Sequence, residues 1–120
     1  MKKKIIESDA ARIVIIDSKY PIITDVQSAF DLLATAYYSD GCDRIAIKKE
    51  AITKEFFDLK TGIAGEILQK VSNFRQKLSI IGDFTEYTSK SLHDFIYESN
   101  NGGSISFVKT EQEAIDKLST

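Results

Sequence analysis

Asp17, Lys48, Asp83 and Lys109 each stand just beyond a run of strand-forming residues. If those runs are parallel strands, all four emerge at one sheet edge, the edge at which open α/β sheets bind ligands. Two acids and two bases there suit a small anionic or polar ligand, or proton transfer. Charged residues just past strands are also simply where a chain meets water. Phe84 and Tyr87 follow Asp83 closely and suit gatekeepers of a pocket at that rim. A second group is Asp58, Thr61, Gly62 and Gly65. Thr61 stands where a helix should open, and the unpaired N–H groups of a helix start stabilise an anion or a phosphorylated hydroxyl. The plainer reading makes Thr61 a helix cap and the two glycines a means of tight packing against the sheet. Gly62-x-x-Gly65 lacks the Lys-Ser/Thr ending of a phosphate-binding loop and the spacing of a dinucleotide fingerprint.

No catalytic set stands out. His93 lies between Leu92 and Asp94 on a helical pattern whose inward residues are Leu92, Phe95 and Ile96, so it points sideways or outward. No Gly-x-Ser-x-Gly elbow supplies it with a nucleophile. Cys42 is the single cysteine, reads as an inert small residue, and excludes an internal disulfide. One Cys and one His make no zinc set, and no motif asks for a metal or a cofactor. Sixteen basic and eighteen acidic side chains give a net charge of -2 without a basic stripe, which argues against nucleic acid. Lys2-Lys3-Lys4 reads as the solvated start of an edge strand.

The elements that must position these residues follow from periodicity. Lys4–Glu7 and Arg12–Asp17 flank a polar break at 8–10 and read as a hairpin. Thr24-Asp25-Val26-Gln27 has capping-box form, with Thr24 as cap. Behind it Val26, Ala29, Phe30, Leu33, Ala36 and Tyr37 recur at three and four, until Gly41 caps the helix end. Arg44–Lys48 is a strand. Thr53 caps a turn carrying Phe56 and Phe57 inward. Thr61–Glu66 opens a second helix, with Ile63, Ile67, Leu68, Val71 and Phe74 as its apolar face. Lys77–Gly82 is a strand, Thr88-Ser89 opens a third helix, and Asn100-Asn101-Gly102-Gly103 ends it. Ser104–Val108 is the last strand, and Thr110-Glu111-Gln112-Glu113 caps the last helix.

The 120 residues therefore form one α/β domain over 1–120: an N-terminal β-hairpin, then alternating βα units, with about five mostly parallel strands and four helices. A flavodoxin-like wrap with helices on both faces is the alternative. The paired aromatics Tyr37-Tyr38 and Phe56-Phe57 each leave at least one ring poorly covered by its own helix, which suits a core extension or a partner surface. No apolar run approaches the eighteen or so residues of a membrane helix, and the N-terminus has charge without an export signal, so a cytoplasmic protein is expected.

Two stretches, Phe57–Leu68 and Ile80–Phe84 with Tyr87–Ile96, resemble a family of short bacterial domains of unknown function, over about Lys4 to Leu118. A more distant likeness is to the STAS superfamily, the anti-sigma-factor antagonists. Asp58-Leu59-Lys60-Thr61-Gly62-Ile63-Ala64 resembles the STAS switch motif, an acid followed by hydroxyl residues, Gly, an aliphatic and a small residue at the second helix. Leu59 and Lys60 separate Asp58 from the single hydroxyl, where that motif keeps acid and hydroxyls adjacent. Phe107–Ile115 resembles the closing strand and helix of the sporulation-antagonist branch. The resemblance implies a STAS-like fold and a non-enzymatic regulatory module that meets a partner protein or a second copy through Asp58, Thr61, Gly62 and Gly65. The alternative is ligand binding at the rim by Asp17, Lys48, Asp83 and Phe84.

Overall fold

A computed structural model describes residues 1–8 and 11–120. Strand β1 (Lys2–Glu7) pairs antiparallel with β2 (Arg12–Asp17), Lys2 opposite Asp17 and Glu7 opposite Arg12. Ser8 and Ala11 close the hairpin by exchanging backbone hydrogen bonds, while Asp9 and Ala10 of the expected polar break lie outside the described residues. Strands β3 (Arg44–Lys48), β4 (Lys77–Ile81) and β5 (Ile105–Val108) then add in parallel, in the order β1-β2-β3-β4-β5. Chain order and spatial order coincide.

That order decides the layers. Crossovers of one hand that always step in one direction leave their helices on one face. Helices α1 (Val26–Tyr38), α2 (Ile63–Asn73) and α3 (Lys90–Asn100) all pack there, against Val14, Ile16, Ile45, Ile47, Leu78, Ile80, Ile105 and Phe107. Among the described residues the opposite face carries α4 (Glu111–Leu118) as its one helix, over Ile13, Ile15, Ala46 and Ile81. Strand β2 is buried at four consecutive residues because both layers reach it. Each fully buried isoleucine or leucine contributes roughly 1.5–3 kcal/mol. The flavodoxin-like alternative is corrected here: β2 to β5 progress in one direction, without the reversal of strand order that wraps helices evenly over both faces.

Local signals explain the helix ends. Asp25, rather than Thr24, caps α1: its carboxylate accepts from the Ser28 N–H at 2.8 Å, and the Ser28 hydroxyl accepts in return from the Asp25 N–H at 3.0 Å. A carboxylate serves the positive helix end better than a hydroxyl, which moves the cap by one residue. Gly41 takes a left-handed φ of 67° and lets the Cys42 N–H return to the Ala36 carbonyl at 2.7 Å. Ser89 and Thr110 cap α3 and α4 through their hydroxyls, accepting from the Leu92 and Glu113 N–H groups.

Candidate functional site

Residues 49–61 after β3 form three short 3₁₀ turns, Lys49–Ala51, Lys54–Phe57 and Leu59–Thr61. Both Phe56 and Phe57 are buried, because the tight turn directs both rings inward: Phe56 into the core, Phe57 beneath the loop after β4. Phe57 stacks on Tyr87, with centroids 5.3 Å apart, and lies 6.1 Å from Phe84. Of the two readings of this pair, core extension is the one seen, with Phe57 covered by rings from another loop rather than by its own turn. Tyr37 and Tyr38, by contrast, are 54% and 83% exposed at the end of α1, in line with a pair of which at least one ring is poorly covered.

Asp58, Thr61, Gly62 and Gly65 all lie on the surface, where the last 3₁₀ turn runs into α2. The Asp58 carboxylate accepts from the Lys60 N–H at 3.2 Å. The Thr61 hydroxyl lies 2.7 Å from the Glu55 carbonyl and 2.9 Å from that of Asp58, and accepts weakly from the Ile63 N–H at 3.3 Å. Thr61 is the last residue of the turn, and Gly62, at a φ of 78°, is the cap position. So Thr61 does not cap α2 in the expected way; it fastens the turn that precedes it. A Cβ on Gly62 or Gly65 would meet nothing within 4 Å, so neither glycine serves close helix–sheet packing.

The rim divides. Lys48, Gly82, Asp83, Thr85 and Lys109 share a shallow cleft of about 350 Å³, with Glu50 and Ile81. Asp17 is exposed at the end of β2 and outside that cleft. Asp83 accepts from both the hydroxyl and the N–H of Thr85, at 2.6 and 2.9 Å. These bonds hold its carboxyl below the usual range, with Lys109 and Lys49 adding to the effect. Phe84 is half-buried, edge-on to Phe107 at 5.3 Å, and lines a neighbouring groove with His93 and Lys109. His93 places Nε2 2.5 Å from the Tyr87 carbonyl, and is exposed. Among the described residues no three His, Cys, Asp or Glu side chains gather as a metal site. Cys42 is buried, and burial pushes its thiol up despite nearby Arg12.

Lys49 was missed by sequence reasoning. Its ammonium bonds the Glu86 carboxylate, donates to the Asp83 carbonyl at 3.0 Å, and lies over the Tyr87 ring at 5.1 Å and the Phe84 ring at 6.0 Å. Burial pulls its ionisation down, but the Glu86 hydrogen bond and the charges of Tyr87, Glu86 and Glu50 outweigh that and leave it raised. Gly82 makes this possible: a Cβ there would lie 2.8 Å from the Lys49 Cβ. The available signal was period-two alternation. Ile45 and Ile47 face the three-helix layer, and Lys49 continues that face, whereas Lys48 belongs to the other.

A family model described as a domain of unknown function, DUF4180, matches residues 8–118. The chain belongs to this family. No curated protein matches the sequence. Two solved structures are similar over almost the whole length. One is the Bacillus cell fate determinant SpoIIAA in its phosphorylated form, at 14% identity, 98% of this chain, 99% of that one and a TM-score of 0.46. The other is the anti-sigma factor antagonist SpoIIAA in its unphosphorylated form, at 13%, 98%, 97% and 0.44. Among the described residues no helix of this DUF4180 member is long and apolar enough to cross a membrane.

Proposed function

We propose that this domain is a non-enzymatic protein-interaction module, regulatory in role, whose partner docks on the Asp58–Gly62 knuckle and the first turns of α2. The supporting observation is the fastening of Thr61 to the Glu55 and Asp58 carbonyls beside two glycines with open space above them. A knuckle held by its own hydrogen bonds, and anchored from below by Phe56 and Phe57, presents bare backbone in a fixed shape. Preorganisation of that kind lowers the ordering cost of association. The test is partner capture under native conditions by wild type and by Gly65→Arg, with crosslinks mapped to residues. Gly65→Arg has room to leave the fold intact, so equal melting temperatures with loss of the crosslinked partner support the reading. A partner that still crosslinks elsewhere, at unchanged yield, overturns it.

A second reading is favoured by one observation, the gathering of Lys48, Asp83 and Lys109 at a single cleft. Two ammonium groups beside one hydrogen-bonded carboxylate suit a small anionic ligand, with Phe84 close by in the adjoining groove. Asp17 would then act only from outside the cleft. A thermal-shift screen of anionic metabolites tests it, since a ligand of the folded state raises the melting temperature by mass action. Shifts that survive Lys48→Ala with Lys109→Ala count against it.

A further inference from the structure

We propose that β1 is a dimerisation edge: two copies pair their β1 strands antiparallel about a two-fold axis perpendicular to the sheet, with Ile5 facing Ile5. The sheet ends at β1 and β5. Phe107, on the outer side of β5, already has a partner: its N–H donates to the Asn100 Oδ1 at 2.7 Å and its carbonyl accepts from the Asn100 Nδ2 at 3.2 Å. Strand β1 is different. Five of its six residues are exposed, and Ile5 is an apolar side chain left 39% accessible on an edge.

Symmetry restricts the register. A two-fold axis perpendicular to the sheet keeps each face on its own side, so facing residues must share the strand's alternation, and the two residue numbers sum to an even value. Centring on Ile5 places Lys3 opposite Glu7 twice, on the face that carries α1 to α3, and Lys4 opposite Ile6 on the other face. Moving the centre to Lys4 sets Lys4 against Lys4 and Lys3 against Ile5. Moving it to Ile6 sets Ile5 against Glu7 and Lys4 against Ser8. The Ile6-centred register also sets apolar against apolar at the axis, Ile6 facing Ile6, but of these three only the Ile5-centred register joins opposite charges across the strands as well. Lysines on an edge ordinarily deter pairing; in this register none faces another lysine. Lys3 already bonds Asp40 at 2.9 Å and Glu7 bonds Arg12, yet their side chains stay 31% and 67% exposed and can take a further partner. The occupant is thus a second copy, and the product is one continuous sheet through both molecules. This edge is separate from the Asp58–Gly62 knuckle, so either can fail alone.

Sedimentation equilibrium over a wide concentration range tests it, on wild type, Lys3→Glu, Ile5→Thr and the double exchange Lys3→Glu with Glu7→Lys. Wild type is expected to dimerise. Lys3→Glu sets Glu against Glu7 and should weaken association roughly tenfold or more, and the double exchange should recover it. Ile5→Thr, a β-branched change at an exposed position, should weaken it without touching Asp40 or Arg12, and covers the case in which Lys3→Glu fails to fold. A monomer at every concentration overturns the proposal, as does a dimer indifferent to Ile5→Thr, or a well-folded double exchange that fails to recover association.

Discussion

The Asn100 carboxamide stands beside β5 as a neighbouring strand would, giving and taking one hydrogen bond each with the backbone of Phe107, at 3.2 and 2.7 Å. It is the last residue of α3, so the helix that crosses over the sheet also finishes its edge. Asn100→Ala should cost about 1–3 kcal/mol through two lost bonds and should raise aggregation on mild heating, because it uncovers strand backbone. Urea titration and light scattering read the two effects separately. Retained stability with no added scattering would show that the contact does not guard this edge.

Lys49 carries a pH signature. Its folded ionisation lies above the ordinary 10.5, so its contribution is complete below that value and is lost as pH rises through the folded one. Lys49→Met should therefore be destabilised at neutral pH, by about 1–2 kcal/mol for the ion pair, hydrogen bond and ring contact together. The gap from wild type should narrow in strongly alkaline solution. Denaturant midpoints measured from neutral to alkaline pH decide it; a gap constant across that range would mean that only packing was lost.

Gly62 and Gly65 should respond with opposite signs. Gly62→Ala forces a side chain into a left-handed backbone and should cost about 1 kcal/mol. Gly65→Ala sits inside α2 with open space at its Cβ and should stabilise by roughly 0.5–1 kcal/mol. Paired thermal melts check both, and a loss at Gly65 would point to a contact made in the native assembly.

Beneath α4 the row Ala46, Ser79 and Ser106 runs across β3, β4 and β5, all buried, with the Ser106 hydroxyl 3.0 Å from that of Ser79. Ser79→Ala alone strands a buried hydroxyl and should cost about 1–2 kcal/mol. Adding Ser106→Ala should return much of that, because the two hydroxyls answer mainly to each other. A double-mutant cycle gives the coupling directly; strict additivity would contradict it.

Much of this architecture was legible because each element carries its own period: the continuous apolar run Ile13–Ile16, the three-and-four spacing behind Asp25, the capping hydroxyls at Ser89 and Thr110. Less was legible where geometry is set by partners distant in sequence. Phe56 and Phe57 both bury only because Tyr87 and Phe84 return over them from the next loop. Helix α2 ends at a left-handed Arg75, φ 54°, where no glycine marks the stop. Asp17 and Lys48 end their strands while Asp83 and Lys109 follow theirs, but a sheet wound in one direction has no switch point to open a deep crevice, and three of the four share a shallow one. Lys49 was hidden by its neighbour: the alternation that selects it over Lys48 matters only once the faces are known.

The agreement between chain order and strand order has a consequence for how the molecule is made. As the polypeptide leaves the ribosome, each new parallel strand finds its neighbour already present, and the three-helix layer closes one unit at a time. The back of the sheet has no such progress. Ile13, Ile15, Ala46 and Ile81 wait for Ala114 and Leu118, so all five strands are synthesised before that surface is covered. A nascent chain halted before α4 would hold an almost complete sheet with one oily side uncovered, open to chaperones or to aggregation.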